Sequence, residues 1–269
     1  MKKRWIIMMA FMALFAVLGV CIPETQGIWE LSDNIDTADV AWMITATIFV
    51  LMMTPGLSFF YGGMVRKKNI ISTILQSIIA MGIISVIWVV VGFSLSFGED
   101  VGGVGIIGNP CTYFLFQNVG GQATDYLSEQ LGLTIPLALY ALFQMKFAII
   151  TPSLITGSFA ERVRFSAYTV FMVLFCIIVY CPLAHMTWHP DGLFAQMHVK
   201  DFAGGIVVHA SSGIAALVGA IFLGRRKDKK SEPGNVPYVI LGASLLWLGW
   251  FGFNAGSSLH ADGMAVKAF

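Results

Sequence analysis

The sequence predicts an all-α polytopic membrane protein, and three observations carry that reading. Of its 269 residues, 57% are hydrophobic and only 12% charged, with a mean hydropathy of +0.78. A soluble domain carries about 25% charged residues. Six apolar stretches reach the length that a helix needs to cross a bilayer, about 20 residues. The basic residues then gather in alternate loops between those stretches. Sixteen Lys and Arg against 15 Asp and Glu give a net charge of +1, which leaves no basic excess for nucleic acid and no acidic tail. Disorder is excluded because too much apolar surface would be left in water. The 28 glycines scattered through apolar runs suit close helix packing in lipid.

The first segment reads as an address. Lys2, Lys3 and Arg4 precede an apolar run from Trp5 to Val20, and the polar string from Cys21 to Gly27 follows. A basic start, an apolar stretch shorter than a span and a polar exit describe a secretory signal peptide over residues 1–27. An uncleaved extra helix is the alternative. The remainder, 28–269, is expected to be one transmembrane domain whose N-terminus lies outside.

The expected spans are Ala38–Phe60, Ile70–Phe97, Leu133–Phe159, Phe165–Thr187, Phe202–Leu223 and Tyr238–Ser258. Arg66, Lys67 and Lys68 follow the first, Arg162 and Arg164 the third, and Arg225, Arg226, Lys227, Lys229 and Lys230 the fifth. The alternate segments hold most of the acids, among them Asp39, Glu99, Asp100, Asp125 and Asp191. Positive loops stay cytoplasmic, so the first span enters from outside, in agreement with the signal peptide. Backbone polar groups cannot be left open to lipid, so each span is helical, and long unalternating runs exclude a β-barrel. Gly98–Leu131 is the long outer loop, of irregular backbone or short helices. Met264–Phe269 reads like the start of another helix, so the chain is expected to continue. Cys21, Cys111, Cys176 and Cys181 show neither CxxC spacing nor a cluster with histidines, so no metal site, disulfide framework or cofactor is expected.

Ionisable groups at membrane depth are costly and mark function. His209 lies eight residues after Asp201, some 12 Å along a helix at 1.5 Å per residue. It is read as a hydrogen-bonding or proton-relaying group, with packing glue as the bland alternative. Asp201 is read as a cap for the start of that helix, and secondarily as a source of negative potential at a cation entrance. Trp188 reads as an interface tryptophan or as a ring face for a small cation. Phe253 and Ser257, and likewise Phe143 and Phe147, stand four apart on one helix face. Such aromatic stripes are more often packing than pore. No activated nucleophile, paired-carboxylate site or phosphate loop occurs in context, so an enzyme is not expected.

Four strings then resemble the ammonium transporter (Amt/Rh) family. They are PGLSFFYGGMVRKKN from Pro55 to Asn69, FAERVRF from Phe159 to Phe165, DFAGGIVVH from Asp201 to His209, and GWFGFNAGS from Gly249 to Ser257. The resemblance runs from about Ala38 to the end. It implies eleven transmembrane helices in two inverted five-helix repeats plus a final helix, assembled as homotrimers with one pore per subunit. This chain resembles the first repeat and the first helix of the second. The resemblance makes Trp188 and Ser257 an outer ammonium recruitment site, supported by Asp201. It makes Phe147 and Phe253 a stacked phenyl gate, with Phe143 beside it, and His209 the first of two pore histidines. It also implies residence in the plasma membrane, and it makes PII-type regulatory proteins a candidate partner on the cytoplasmic face, one that the residues themselves leave open.

Two departures stand out. The second pore histidine has no counterpart here, and Lys146 sits beside Phe147 where the family has an uncharged side chain. An ammonium/ammonia transporter is the leading expectation. An ammonium sensor with a signalling domain beyond residue 269, or a non-conducting remnant, are the alternatives.

Overall fold

The computed structural model describes residues 30–226 and 232–269, together with isolated helical positions between 6 and 17. The expected signal peptide over 1–27 therefore lies largely outside the described residues, as do Lys227, Lys229 and Lys230. Among the described residues, six helices are long and apolar enough to cross a membrane. We label them with the two shorter helices in chain order: α1 Thr37–Met64, α2 Lys67–Phe97, α3 Tyr126–Leu131, α4 Leu137–Phe159, α5 Phe165–Trp188, α6 Gly205–Leu223, α7 Val236–Ser258 and α8 Gly263–Ala268. Apart from one isolated bridge between Asp100 and Gly108, the described residues contain no β-structure.

The helix ends follow local chemistry. Asp36 caps α1 by accepting from the Ala38 and Asp39 amides, Asn235 caps α7 through the Tyr238 amide, and Asp262 caps α8 through Ala265. Several expected boundaries shift. The fourth span closes its long helix at Trp188 and adds one further turn, Leu193–Gln196. The fifth begins at Gly205, because Gly204, at φ +86°, occupies a backbone conformation that breaks the approach from Asp201. Among the described residues, π-turns interrupt α2 at Trp88–Gly92 and α5 at Cys176–Tyr180, and a third, Gly205–Ala210, opens α6. The loop after α2 is irregular, with a 3₁₀ turn at Phe114–Phe116 before α3.

Helix α4 is the axis of the bundle: 78% of its apolar window is buried, against 17% for α6 and 22% for α7. The indole N–H of Trp88 on α2 donates to the Ala141 carbonyl at 3.0 Å. Tyr61 on α1 and Tyr168 on α5 donate to the carbonyls of Leu154 and Pro152, both at 2.8 Å, near the proline that interrupts the α4 ladder. Helices α1 and α7 pack antiparallel on glycine. A Cβ on Gly242 would stand 2.3 Å from the Phe60 nitrogen, and one on Gly249 would stand 2.1 Å from Met53 Cγ. Without a hydrophobic drive between helices in lipid, such close approach supplies the attraction. Beside these, α5 and α6 leave an apolar groove of about 750 Å³ between Phe171, Phe175, Ile214 and Phe222.

Each end of the bundle is tied by a carboxylate. At the acidic end Asp39 accepts from the Ala261 amide at 2.7 Å and meets Thr134 and His260. At the basic end Glu161, its side chain 3% exposed, gathers three loops. Its Oε1 accepts from the Arg66 amide, Arg66 Nε and Asn69 Nδ2 at 2.8–3.1 Å, and its Oε2 accepts from Arg226 at 3.0 Å. Burial alone would raise the Glu161 pKa, but the hydrogen bonds from Asn69 and Arg66 outweigh it and hold the carboxyl below its ordinary value.

Two outcomes follow from this packing. Gly242→Val should sharply lower the yield of folded protein in detergent by forcing α1 from α7, whereas Gly82→Val, with nothing within 4 Å, should leave it unchanged. Glu161→Gln should cost about 1–3 kcal/mol of stability near pH 7. A depressed folded pKa gives stability that is complete above the unfolded value and is lost as pH falls through the folded one. Thermal unfolding of wild type and variant should therefore converge as pH drops below 4.5.

Candidate cation site and ring stack

The site is built where three helix ends meet. Helix α5 ends at Trp188, α6 begins at Gly205, and α7 turns into its final 3₁₀ turn at Gly256–Ser258. Asp201 fixes the first two together. Its Oδ1 accepts from the Gly204 and Gly205 amides at 2.6 and 2.8 Å, and its Oδ2 from Ile206 and Val207 at 2.8 and 3.0 Å. One carboxylate thus satisfies the amides that a helix start leaves open, and meets the positive end of the dipole. The same residue's carbonyl accepts the Trp188 indole N–H at 3.0 Å. The capping role expected of Asp201 is met from a loop position four residues ahead of Gly205.

His209 correspondingly lies in the first π-turn of α6, not two α-turns below Asp201. Its amide donates to the Gly204 carbonyl at 2.9 Å, an i→i−5 bond, so the expected 12 Å of regular helix between the two residues is corrected.

The aromatic residues singled out from sequence form a continuous series. The Trp188 ring stands edge-on to Phe147 at 6.0 Å, and Phe147 stacks on Phe253 at 4.2 Å and 26°. Phe253 then meets His209 at 5.7 Å, while Phe143 packs against Phe147 at 4.9 Å. Phe143, Phe147 and Phe253 are buried, Trp188 and Ser257 are half-buried, and His209 is exposed on the flank of the bundle.

On the Trp188 side of the phenyl pair lies a cavity of about 430 Å³, lined by Trp188, Phe143, Phe147, Ser257 and Asp201. Gln144, Tyr140 and Lys200 also line it, and the residue patterns did not single them out. Gln144 Nε2 donates to the Tyr140 hydroxyl at 3.2 Å, while its buried Oε1 has no partner among the described residues. The only signal for Gln144 in the sequence is its helical phase, one residue after Phe143 and four after Tyr140. Ser257 Oγ donates to the Phe253 carbonyl at 2.8 Å, which leaves its oxygen free to accept. The aromatic rings and the accepting oxygen of Ser257 suit a compact cation that carries N–H donors. Lys146 is half-buried and does not line this cavity, so it does not confront a cation there.

The described residues thus form a six-span helical bundle of the polytopic membrane class, with a cavity beside a stacked phenyl pair. The family model described as the Ammonium Transporter Family matches residues 41–269, and the chain belongs to that family, which is one of transporters and not of enzymes. An ammonium transporter of Mycobacterium bovis is 44% identical over 254 residues, covering 87% of this chain and 53% of that protein. One from Aquifex aeolicus is 46% identical over 236 residues, with 87% and 53% covered. The crystal structure of Saccharomyces cerevisiae Mep2 superposes with a TM-score of 0.79 at 36% identity, over 88% of this chain and 52% of that one. A structure named Sensor Amt Protein gives 0.74 at 30% identity, over 85% and 56%. The chain thus spans about half the length of the relatives it matches.

The Asp201 cap yields a direct test. Asp201→Ala leaves four helix-start amides without their acceptor and should cost at least about 2 kcal/mol in thermal unfolding. Asp201→Asn, which keeps one acceptor oxygen, should fall between the two.

Proposed function

We propose that the protein carrying this chain moves ammonium or ammonia across the plasma membrane, through a pore within each subunit of a homotrimer. The observation that carries this reading is the Phe147–Phe253 stack, at 4.2 Å, standing between the Trp188 cavity and His209. Ammonium is close to potassium in size, so discrimination rests on its tetrahedral N–H donors. The Trp188 ring attracts the positive charge, while Ser257 Oγ accepts one of its hydrogens. The buried phenyl pair makes passage of the bare ion costly and that of neutral ammonia much cheaper. The ion therefore gives up a proton near the gate. His209, on the far side, accepts hydrogen bonds or relays that proton. A second histidine, from outside these residues, completes the relay.

In this reading the acidic end of the bundle, with the cavity, faces outward, and the N-terminus after a cleaved signal peptide begins there. The Arg66, Arg162 and Arg226 end faces the cytoplasm, where PII-type regulators dock. The likeness to the Sensor Amt Protein supports a second reading, in which the same cavity binds ammonium and an appended domain signals.

Methylammonium uptake by the full-length protein separates these. Wild type should take it up, and Phe253→Ala or His209→Ala should lower uptake at least about tenfold, the equivalent of about 1.4 kcal/mol. Unchanged uptake in both variants would overturn the route. Saturable binding without uptake by wild type would favour the sensor.

A further inference from the structure

A buried titratable pair that the proposed route does not use sits under the helix that ends in Trp188. His185, fully buried, lies one turn before Trp188 on α5. Its Nδ1 faces the Ser96 carbonyl at 3.1 Å, in the last turn of α2, and its Nε2 faces Asp100 Oδ1 at 3.1 Å, just beyond that helix. The Asp100 side chain is 8% exposed, and its Oδ2 has no partner among the described residues. The Asp100 backbone is itself pinned by the bridge to Gly108.

Counting hydrogens shows what this geometry requires. A neutral imidazole carries one N–H and an ionised carboxylate carries none, while both ring nitrogens of His185 face acceptors. Either the Ser96 contact or the Asp100 contact then sets lone pair against lone pair. One further proton removes the conflict, whether it resides on Nε2 or on Oδ1, and makes both contacts hydrogen bonds. In a buried site an unmade bond of this kind is costly, so the proton is part of the structure. Asp100 from the α2 side, and His189 and Asp191 from the continuation of α5, are the titratable groups around it. His189 stacks on His185 at 4.4 Å and 17°, and its Nδ1 accepts from the Asp191 amide at 3.2 Å. Nδ1 of His189 is therefore an acceptor, and Asp191 is engaged by the Tyr126 hydroxyl at 3.0 Å.

We propose that His185 and Asp100 share one proton in a buried latch that positions Trp188, and that loss of this proton loosens the cation-capturing mouth; the inference rests on the transport reading above. Trp188 is held from two sides. Its indole N–H is tied to the Asp201 carbonyl, and the last turn of its helix is tied through His185 to the end of α2. Both residues act through Trp188 and neither touches the substrate, so the latch governs capture and not the later step.

The test is the KM and kcat of methylammonium uptake from pH 6 to 8.5, each variant set against wild type at the same pH so that the substrate's own titration cancels. Asp100→Leu should raise KM about tenfold at pH 6, with kcat within about twofold. Asp100→Asn can donate its amide hydrogen to Nε2 while Nδ1–H serves Ser96, so it needs no shared proton. Its KM should match wild type at pH 6 and fall progressively below the rising wild-type value as pH increases. A ratio of wild-type to Asp100→Asn KM that stays constant across this range, or a wild-type KM in Asp100→Leu, overturns the latch. Should Asp100→Leu not fold, the Asp100→Asn ratio alone decides. Absence of uptake by wild type would count against the transport reading instead. The latch is then judged by ¹⁵N spectra of histidine-labelled protein: a His185 protonation change with pH that disappears in Asp100→Asn supports it, and identical titration in both overturns it.

Discussion

The architecture of the site depends on how Asp201 spends its oxygens. Four backbone amides at the start of α6 converge on one carboxylate, and the carbonyl of the same residue receives the Trp188 indole. A helix start buried in a bundle would otherwise hold several unpaired donors. Satisfying them from a loop residue lets the chain enter α6 at an angle set by Gly204, with the Trp188 ring held at the entry. The ring series from Trp188 to His209 is then a consequence of where α5 stops, where α6 starts and where α7 crosses them both.

That crossing is set by glycine. Gly242, Gly249 and Gly252 on α7 let its backbone reach α1 at distances that a Cβ would forbid. Close approach carries Phe253 inward until it stacks on Phe147, and the buried phenyl pair inherits its rigidity from the α1–α7 contact. At the two ends of the bundle, Glu161 and Asp39 hold segments separated by as many as 95 and 222 residues. Each carboxylate is shared among several donors, so no one of the connected loops can be displaced without disturbing the others.

The sequence made the spans legible because apolar length and alternating loop charge are local properties, and all six appear within a few residues of their expected limits. The grouping of Trp188, Phe147, Phe253 and His209 was legible only through the resemblance. Aromatic pairs at Phe143/Phe147 and Phe253/Ser257 carry no signal that distinguishes a gate from packing, since the decisive contact, Phe147 with Phe253, joins residues on different helices. Gln144 escaped for a related reason: its unpaired oxygen is visible only when its neighbours are in place. The π-turn before His209 is invisible to hydropathy because it changes winding without changing composition. So is the Glu161 knot, whose partners Arg66 and Arg226 read as ordinary loop charges when taken singly.

That π-turn bears on how the chain tolerates length changes. A π-turn accommodates one more residue than the α-turn it replaces, so it sets the angular phase of everything downstream on α6. Removing one residue between Gly205 and Ala210 would let the segment relax into an ordinary coil of the helix. Each side chain from Ser211 onward would then keep its angular position about the axis, because the residue lost is the one that the wider turn had absorbed. A gap of a single position here is therefore one that α6 can take up locally, leaving the face it presents from Ser211 onward unchanged.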